Sequence, residues 1–414
     1  MPTLRHLREH IMNYGPERNL FLAAFMVFFF VVFDGILMYL APIVMQRGGI
    51  SEGTMGLILG LSSVAGMLFD VILGRLLESS TYRTMFLVML LVAATYPFFL
   101  FGATTVTTYL VAMAVWGLYY NLYNMGTIDF VGRTATPDRY TSSFGVLKVF
   151  DGLGYLIAPF IASLFLVAAS TNTQMTGWLL TLLVPAFVFY FMFSTATMPL
   201  RHDGVSRHGN VYGILAEWHL WTKVGRILFP VLLLTLTINL VDSAVWTIGP
   251  LFSESLATPG GFGGGAFMIA YTLPPLLVGW IVGRFVVRFG KKKTALVALL
   301  VGSLLLTLIG IVKLPLLLIG IIFGTSFCFA LAWPTMNAAY ADDIAATPAY
   351  NKDIEVVEDW FTNVGDTLGP IAGGYAAQYV GNAHAFTIMG IFGAVASLVL
   401  LWYTPQTLAG EIIG

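Results

Sequence analysis

The sequence has few charged residues and almost no cysteine. Charged residues make up 10% of the chain and hydrophobic residues 58%, whereas a water-soluble domain carries about 25% charged residues. Because so few charges cannot cover a surface in contact with water, we predict that most of the outer surface faces lipid. The single cysteine, Cys328, excludes an internal disulfide framework and a cysteine-rich metal site.

The sequence also lacks motifs for catalysis and cofactor binding. A net charge of −1 gives no reason to expect a nucleic-acid partner. The glycine-rich stretch "TPGGFGGG" at 258–265 lacks the Lys-Ser/Thr of a phosphate-binding loop, so we interpret it as a flexible turn. The chain contains no nucleophile triad, metal cluster or nucleotide motif. We therefore predict that it is not an enzyme and binds no cofactor or metal.

Long apolar segments recur along the whole chain, each close to the roughly 20 residues needed to cross a bilayer as a helix. They predict an all-α integral membrane protein with twelve transmembrane helices. The predicted spans are 19–44, 53–77, 84–103, 107–131, 142–168, 177–198, 227–252, 262–287, 292–312, 315–341, 354–380 and 383–405.

Basic residues concentrate in alternate loops, which fixes the expected orientation by the positive-inside rule. The outer loops carry only Arg47 and Lys313. The first apolar run is too long for a cleavable signal, so we expect a multi-pass protein of the plasma (inner) membrane with cytoplasmic tails at 1–18 and 406–414. The basic residues assigned to the cytoplasmic side are Arg5, Arg8, Arg18, Arg75, Arg83, Arg133, Arg139, Arg201, Arg207, Arg284, Arg288, Lys291, Lys292, Lys293 and Lys352.

One long polar break, 199–226, separates the sixth and seventh spans. Apolar residues in it can share one face of a short interfacial helix. We interpret it as a cytoplasmic linker lying on the inner leaflet, with a regulatory site as the alternative. The residues of that face are Val211, Ile214, Leu215, Trp218 and Trp221.

Three blocks of the first half recur in order in the second half. "DGILMYLAP" at 34–42 aligns with "DSAVWTIGP" at 242–250, an offset of 208, and "GRLLESSTYR" from Gly74 aligns with "GRFVVRFGKK" from Gly283. The last block, "ATP" at 135–137 and 346–348, has an offset of 211. At the same offset, three more residues of the first half are identical to residues of the second half. Those identities are Phe150 with Phe361, Gly154 with Gly365 and Pro159 with Pro370. The repeat predicts two pseudo-symmetric six-helix bundles at 19–198 and 227–405, joined by the linker.

This organisation resembles the major facilitator superfamily, in which a substrate site lies at the midplane between the two halves. The resemblance covers nearly the whole chain. Its most specific element is the loop after the second span, where a glycine is followed by an acid and then by basic residues. Val287 replaces the acid in the second copy. The matching residues are Gly74, Arg75, Glu78 and Arg83 in the first copy, and Gly283, Arg284, Arg288, Gly290, Lys291 and Lys292 in the second.

The resemblance implies a cytoplasmic gate. Three acids, Glu355, Glu358 and Asp359, begin the eleventh span, where a helix N-terminus favours negative charge. In the family fold this span meets the loop after the second span. Arg75 and Arg83 could then pair with these acids when the cytoplasmic side closes. The alternative is that the acids are solvated charges at a helix end.

Carboxylates inside the apolar spans are the strongest candidate site residues. A charge at the bilayer centre costs about 3 kcal/mol, yet Asp34 and Asp242 occupy equivalent positions on the first and seventh spans. Asn239, Asp242 and Trp246 share one helical face. Removal from water favours the neutral form of a carboxyl group, so it can exchange protons near neutral pH. We expect proton coupling or a counter-charge for a cationic substrate, with a structural hydrogen-bonded aspartate as the alternative.

Further candidates lie on the remaining spans. Asp366 is a third proton or substrate carboxylate, whereas Lys148 and Asp151 on the fifth span either bind a substrate or neutralise each other. Mixed amide and aromatic surfaces suit an organic solute, although such stripes are also typical of packing. These stripes contain Asn121 and Asn124 on the fourth span, and Trp333 and Asn337 on the tenth.

The sequence therefore predicts a secondary active transporter that works by alternating access on a small organic solute. We expect a monomer in the lipid bilayer, coupled to protons or another cation, with export slightly favoured. One alternative is a cation-coupled sugar-type symporter, because "FDVILGR", with Asp70 four residues before Gly74, resembles the sugar–cation symporters. Two further alternatives are a lipid flippase and a membrane receptor that transports nothing.

Overall fold

The computed structural model describes residues 4–77, 80–136, 139–169, 171–194, 214–257, 265–279, 281–282, 290–346 and 351–403. Side chains are described for these residues except 4–17, 70–71, 74–75, 214–227, 341–346, 351–353, 355–356 and 403. Within the described ranges all regular secondary structure is helical, which confirms the all-α part of the predicted fold class.

The helices follow the chain in the predicted order. They are α1 (Leu4–Arg47), α2 (Glu52–Leu76), α3 (Tyr82–Gly102), α4 (Val106–Thr134), α5 (Tyr140–Ala168), α6 (Asn172–Ser194), α7 (Ile214–Ser255), α8 (Ala266–Thr272), α9 (Pro274–Val278), α10 (Lys291–Thr307), α11 (Pro315–Ala346), α12 (Asn351–Val380) and α13 (Asn382–Tyr403). A short 3₁₀ turn, Leu308–Gly310, extends α10.

Nine of these helices are long and apolar enough to cross a membrane, counting the described residues alone. Two more, α4 with 29 residues and α12 with 30 residues, are long enough to span but are less apolar. The predicted eighth span instead contains the short helices α8 and α9. The helices thus follow the predicted order of the spans, and length and hydropathy support nine of the twelve predicted spans.

The outward-facing side chains match a lipid environment. Large apolar residues are strongly exposed on several helices, for example Trp402 at 88%, Val167 at 85% and Leu316 at 82%. In water such side chains would be costly at about 25 cal/mol per Å² of apolar area. Bands of exposed apolar side chains on the spanning helices therefore mark a membrane-embedded surface.

Two compact units divide the chain. Unit 1 comprises Met1–Gly49 and Leu61–His208, and unit 2 comprises Ile50–Gly60 and Gly209–Gly414. In unit 1, α1 packs against α5 and α6, and α3 packs against α4. In unit 2, α7 packs against α12, and α10 packs against α11 and α13.

The predicted interfacial helix of the linker is not a separate element. The structure has one continuous helix, α7, from Ile214 through the seventh span to Ser255. The segment from 214 to 229 contains no proline, so nothing stops the helix before the span begins. Val211 lies outside the described residues. Similarly, α1 begins at Leu4, within the predicted N-terminal tail.

Glycine allows the same close helix crossing in both units. A Cβ atom on Gly154 of α5 would lie 2.9 Å from Val31 and 3.1 Å from the carbonyl oxygen of Phe28 on α1. On α12, a Cβ atom on Gly365 would lie 2.6 Å from the Cβ atom of Asn239 and 2.9 Å from the carbonyl oxygen of Leu236 on α7.

The two crossings follow the registers of the internal repeat. Leu236 and Asn239 lie 208 residues after Phe28 and Val31, and Gly365 lies 211 residues after Gly154. Both offsets are those read from the sequence. The structure therefore builds α1 with α5, and α7 with α12, as copies of one helix pair.

Adjacent prolines explain the interruption between α8 and α9. Pro274 and Pro275 have no backbone N–H, so the carbonyl of Tyr271 loses the donor that a continuous helix would supply at position 275. Ser326 on α11 donates its hydroxyl hydrogen to that carbonyl instead. The break therefore fixes where α8 ends. Tyr271 lies in this last turn of α8, within unit 2.

Asp129 anchors the start of α3. Its Oδ2 atom accepts a 2.8 Å hydrogen bond from the backbone N–H of Tyr82, and the carboxylate also pairs with Arg133 at 2.9 Å. We expect Asp129→Asn to lower thermal stability by about 1 kcal/mol, because it weakens a cap and a partly exposed ion pair. Thermal unfolding of purified protein in detergent measures this change, and an unaltered melting temperature would show that the anchor contributes nothing.

Candidate functional site

Asp34 of α1 is bound by three aromatic side chains. Trp116 Nε1 and Tyr119 OH, both on α4, donate to Oδ1 at 3.0 and 2.6 Å. Tyr155 OH on α5 donates to Oδ2 at 2.9 Å. We call these four residues the Asp34 cage. Every donor in the cage is electrically neutral, so Asp34 can gain a proton without breaking an ion pair.

Helical spacing assembles the cage. Trp116 and Tyr119 are three residues apart on α4 and share one face, and Phe30 lies one turn before Asp34 on α1. The ring of Phe30 packs edge-on against Tyr119 with centroids 5.9 Å apart. This apolar contact holds α1 against α4 and brings the polar tips of the aromatic residues to the carboxylate.

Asp34 does not face water in this structure. Its side chain is 0% exposed. The donors of the cage replace water by satisfying three of the roughly four lone-pair sites of the carboxylate. These hydrogen bonds explain how a carboxylate is tolerated within an apolar helix. They leave one lone-pair site of the carboxylate to which a proton can bind.

Asp151 of α5 continues the polar cluster of unit 1. Tyr123 OH donates to Oδ1 at 2.9 Å, and Lys148 Nζ lies 3.2 Å from Oδ2. The side chain of Lys148 is 72% exposed, whereas Asp151 is buried. Lys148 and Asp151 therefore pair with each other, which is one of the two interpretations that the sequence left open.

A flat aromatic surface adjoins the cage. The rings of Trp116 and Tyr120 stack with centroids 5.2 Å apart and an angle of 14° between their planes. Both residues and Tyr155 are partly exposed, whereas Tyr119 and Tyr123 are buried. Unit 1 thus presents two stacked, partly exposed rings next to a buried carboxylate.

In unit 2, Asp242 and Trp246 of α7 meet a residue that the sequence analysis missed. Tyr271 of α8 donates its hydroxyl hydrogen to Asp242 Oδ1, and the Tyr271 ring packs edge-on against Trp246 at 6.1 Å. Asp242 is partly exposed. Asn239 is buried and donates to the carbonyl oxygen of Thr235 at 2.8 Å, which gives its amide nitrogen a partner within its own helix.

Asp366 of α12 lies beside the α7–α12 crossing, directly after Gly365. It is partly exposed, and no hydrogen bond to its carboxyl group occurs among the described residues.

The residues of the predicted amide and aromatic stripes differ in their contacts and in their exposure. Asn121 Nδ2 donates to the carbonyl oxygen of Gly66 at 2.5 Å, which joins α4 to α2. Asn124 on α4 and Asn337 on α11 are exposed, and Trp333 is partly exposed.

The predicted gate is described only in part. Glu78, Gly283, Arg284 and Arg288 lie outside the described residues, as do the side chains of Gly74, Arg75 and Glu355. The guanidinium of Arg83 lies 5.8 Å above the ring of Tyr82, and Lys291 Nζ donates to the carbonyl oxygen of Ala338 at 3.2 Å. Gly290 takes a φ of 80° immediately before α10, a conformation that favours glycine. Lys292 is the second residue of α10, Glu358 is partly exposed and Asp359 is exposed.

Sequence reasoning missed Trp116, Tyr119, Tyr123 and Tyr271. The first three lie at i, i+3 and i+7 on α4, a stripe of aromatic rings that all carry a polar tip. That pattern, opposite an intramembrane acid, is a signal that could have found them. No group of three or more potential metal-binding side chains occurs in the part of the chain that the structure describes.

A bundle of apolar helices that holds hydrogen-bonded carboxyl groups is typical of a membrane transport protein. The family model of the Major Facilitator Superfamily matches residues 20–351. The chain belongs to this superfamily, as the sequence predicted, and membership points to transport of small molecules rather than to catalysis. Among proteins with curated descriptions, no sequence matches the chain.

Solved transporters share the fold. A crystal structure of the nucleoside transporter NupG superposes with a TM-score of 0.73 at 13% identity, covering 93% of this chain and 98% of that one. A bacterial homologue of the human lysosomal transporter Spinster gives 0.69 at 10% identity, covering 94% and 96%. A POT family transporter in complex with a thioalcohol-conjugated peptide gives 0.67 at 15% identity, covering 94% and 96%. At these identities the likeness shows the fold alone.

Proposed function

We propose that the protein is a proton-coupled secondary transporter of a small organic solute. The observation that carries this proposal is the Asp34 cage, a buried carboxyl group bound only by neutral donors. Protonation of such a group changes the charge of the site without releasing a cationic partner. When the solute binds at neighbouring groups, this change in charge alters the free energy of solute binding. Solute binding then alters the free energy of proton binding by the same amount.

We further propose that the solute carries a flat ring. The stacked rings of Trp116 and Tyr120 are partly exposed beside the cage, and aromatic faces prefer offset stacking on another ring. The fold shared with a nucleoside transporter agrees with this solute class, since a nucleobase is flat. The hydroxyl group of Tyr155 offers a polar contact at the same position.

The remaining parts of the proposal come from the sequence. They are twelve spans in two six-helix bundles, a monomer in the plasma (inner) membrane with both termini on the cytoplasmic side, and the cytoplasmic gate. The proposed direction is export in exchange for protons. A cation-coupled sugar-type symporter differs in one measurable respect, because it would need a metal cation rather than a proton gradient to concentrate its solute.

Substitution of Trp116 tests the solute class. We expect Trp116→Ala to weaken binding of a flat-ring solute about fivefold, because a stacking contact contributes about 1 kcal/mol. Trp116→Phe keeps a ring and loses only the Nε1 donor, so we expect it to retain affinity within about threefold. Solute-dependent thermal stabilisation of purified protein, with a panel of nucleosides, sugars and organic cations, gives the affinities.

Two outcomes would contradict the proposed solute class. In one, only sugars without a flat ring stabilise the protein. In the other, Trp116→Ala and Trp116→Phe bind every stabilising solute as tightly as the wild type does. Melting without solute serves as the control that both variants are folded.

A further inference from the structure

Asp34 can exchange a proton only by way of the side chains that surround it, because its own side chain is 0% exposed. Its three hydrogen-bond donors divide unequally between its two oxygens. Trp116 and Tyr119 both donate to Oδ1, whereas Oδ2 accepts from Tyr155. Oδ2 therefore keeps a lone pair to which a proton can bind.

Trp116 cannot pass a proton on to the carboxylate. Its indole Nε1 is a hydrogen-bond donor only and has no lone pair with which to accept a second proton. The partial exposure of Trp116 therefore opens no proton route to Asp34.

Tyr119 has a hydroxyl group but lies in closed surroundings. It is 0% exposed, and its ring packs against Phe30 and Tyr96 with centroids 5.9 and 5.7 Å apart. Phe30 has an apolar side chain that cannot carry a proton. Tyr96 is also 0% exposed, and its hydroxyl group donates to the sulfur atom of Met113 at 3.6 Å. These neighbours therefore bring no exposed proton carrier to Tyr119.

Tyr155 combines the two properties that Trp116 and Tyr119 have separately. It is partly exposed, and its hydroxyl group can both donate and accept. The ring lies directly against α1, where a Cβ atom on Gly35 would be 3.0 Å from its Cδ1 atom. The glycine next to Asp34 thus allows the close approach that places the Tyr155 hydroxyl oxygen 2.9 Å from Oδ2.

The other buried acid of unit 1, Asp151, has a separate set of partners. Its Oδ1 atom accepts from Tyr123 at 2.9 Å, and its Oδ2 atom pairs with Lys148 at 3.2 Å. Neither partner belongs to the Asp34 cage. In the described residues no hydrogen bond joins Asp151 to Asp34, so Asp151 is not a step on the route to Asp34.

We propose that Tyr155 is the relay residue through which Asp34 gains and loses its proton. To protonate Asp34, the Tyr155 hydroxyl group gives its hydrogen to Oδ2 while its oxygen takes a proton from water at the partly exposed side. One tyrosine O–H bond breaks, one aspartate O–H bond forms and a new tyrosine O–H bond forms, so the tyrosine is neutral before and after the step. Release runs in reverse. This inference rests on the proposed function, in which Asp34 is the coupling group.

The rate at which Asp34 gains its proton tests the relay directly. A protonated carboxyl group has an infrared carbonyl band that a carboxylate lacks, and subtraction of the Asp34→Asn spectrum assigns the band to Asp34. After a rapid drop in pH, the growth of this band in purified protein gives the rate. We expect Tyr155→Phe, which keeps the ring and loses the hydroxyl group, to slow the rate about 100-fold, within the range that a positioned proton-transfer group contributes.

Tyr119→Phe is the matched control, because the same substitution removes a donor from the same carboxylate on its buried side. We expect its rate to stay within about fivefold of the wild type, since Tyr155 still relays the proton. The final band area after equilibration measures how much of Asp34 is protonated, which separates a change in rate from a change in equilibrium. Thermal melting confirms that both variants are folded.

Two results would overturn the relay and leave the proposed function intact. One is a rate in Tyr155→Phe equal to that of the wild type. The other is a rate in Tyr119→Phe as slow as in Tyr155→Phe, which would mean that both hydroxyl groups merely shape the cage.

The remaining outcomes separate the relay from the proposed function. A wild type without an Asp34 band at any pH would contradict both together. If the rates behave as expected but transport in vesicles needs no protons, the relay stands and the proposed function alone is contradicted.

Discussion

Asp34→Asn should abolish solute-driven proton movement while leaving solute binding nearly intact. We expect proton flux in proteoliposomes to fall by at least about 100-fold, equivalent to about 2.7 kcal/mol, and solute affinity to change by less than about threefold. An amide cannot take up or release a proton near neutral pH, so the step that couples proton movement to solute movement is lost.

The asparagine should nevertheless fit the cage. Its oxygen can accept from Trp116 and Tyr119 as Oδ1 does, and its NH₂ group can donate to the Tyr155 hydroxyl, which then turns and acts as an acceptor. The matched control is Asp129→Asn, the same substitution at the anchor of α3. Equal proton flux in Asp34→Asn and the wild type would mean that Asp34 has a structural role only.

Gly365→Val should strongly destabilise the α7–α12 crossing. Its Cβ atom would meet the Cβ atom of Asn239 at 2.6 Å and backbone atoms of Leu236 and Leu240 at 2.9 and 3.1 Å. Backbone atoms cannot rotate away, so the helices must separate. We expect a loss of about 3 kcal/mol or more, measured as a fall in melting temperature and as loss of folded protein on size-exclusion chromatography.

Two further variants make this test specific. Gly154→Val occupies the equivalent crossing in unit 1, where a Cβ atom would meet Val31 and the carbonyl oxygen of Phe28, and we expect a similar loss. A Cβ atom at Gly320 of α11 would have nothing within 4 Å, so Gly320→Val should be tolerated. Similar stability of all three variants would contradict the account of the repeated crossing.

The sequence was sufficient to locate the helices and the acids. Runs of apolar residues predict spans because the bilayer sets their length, and Asp34 and Asp242 are conspicuous because a charge in such a run is costly. The repeat register was also readable, since the glycines that permit the close crossings recur with it. These features depend on local composition and spacing.

The partners of the acids were not predictable in the same way. Trp116 and Tyr119 look like packing residues in a helix rich in aromatic rings, and only the approach of α1 to α4 turns their polar tips towards Asp34. Tyr271 depends on the break that Pro274 and Pro275 introduce. Contacts between distant helices are set by tertiary packing, on which hydropathy and periodicity carry no information.

The predicted role of the amide residues illustrates the same point. Asn121 was predicted from composition as a solute contact, yet its amide binds the carbonyl oxygen of Gly66 on another helix. Asn124 lies on the same helix and is exposed. One amide therefore joins two helices and the other does not, although the sequence around them gives no reason to distinguish the two.

The central claim is that solute movement is coupled to protons, and proton flux in proteoliposomes tests it most directly. A pH-sensitive dye inside the vesicles would report proton movement when solutes that stabilise the purified protein are added outside, with no other ion gradient imposed. Our account predicts a solute-dependent pH change in wild-type vesicles that a protonophore abolishes. Solute uptake without any pH change, at an unaltered rate over the tested pH range, would contradict it.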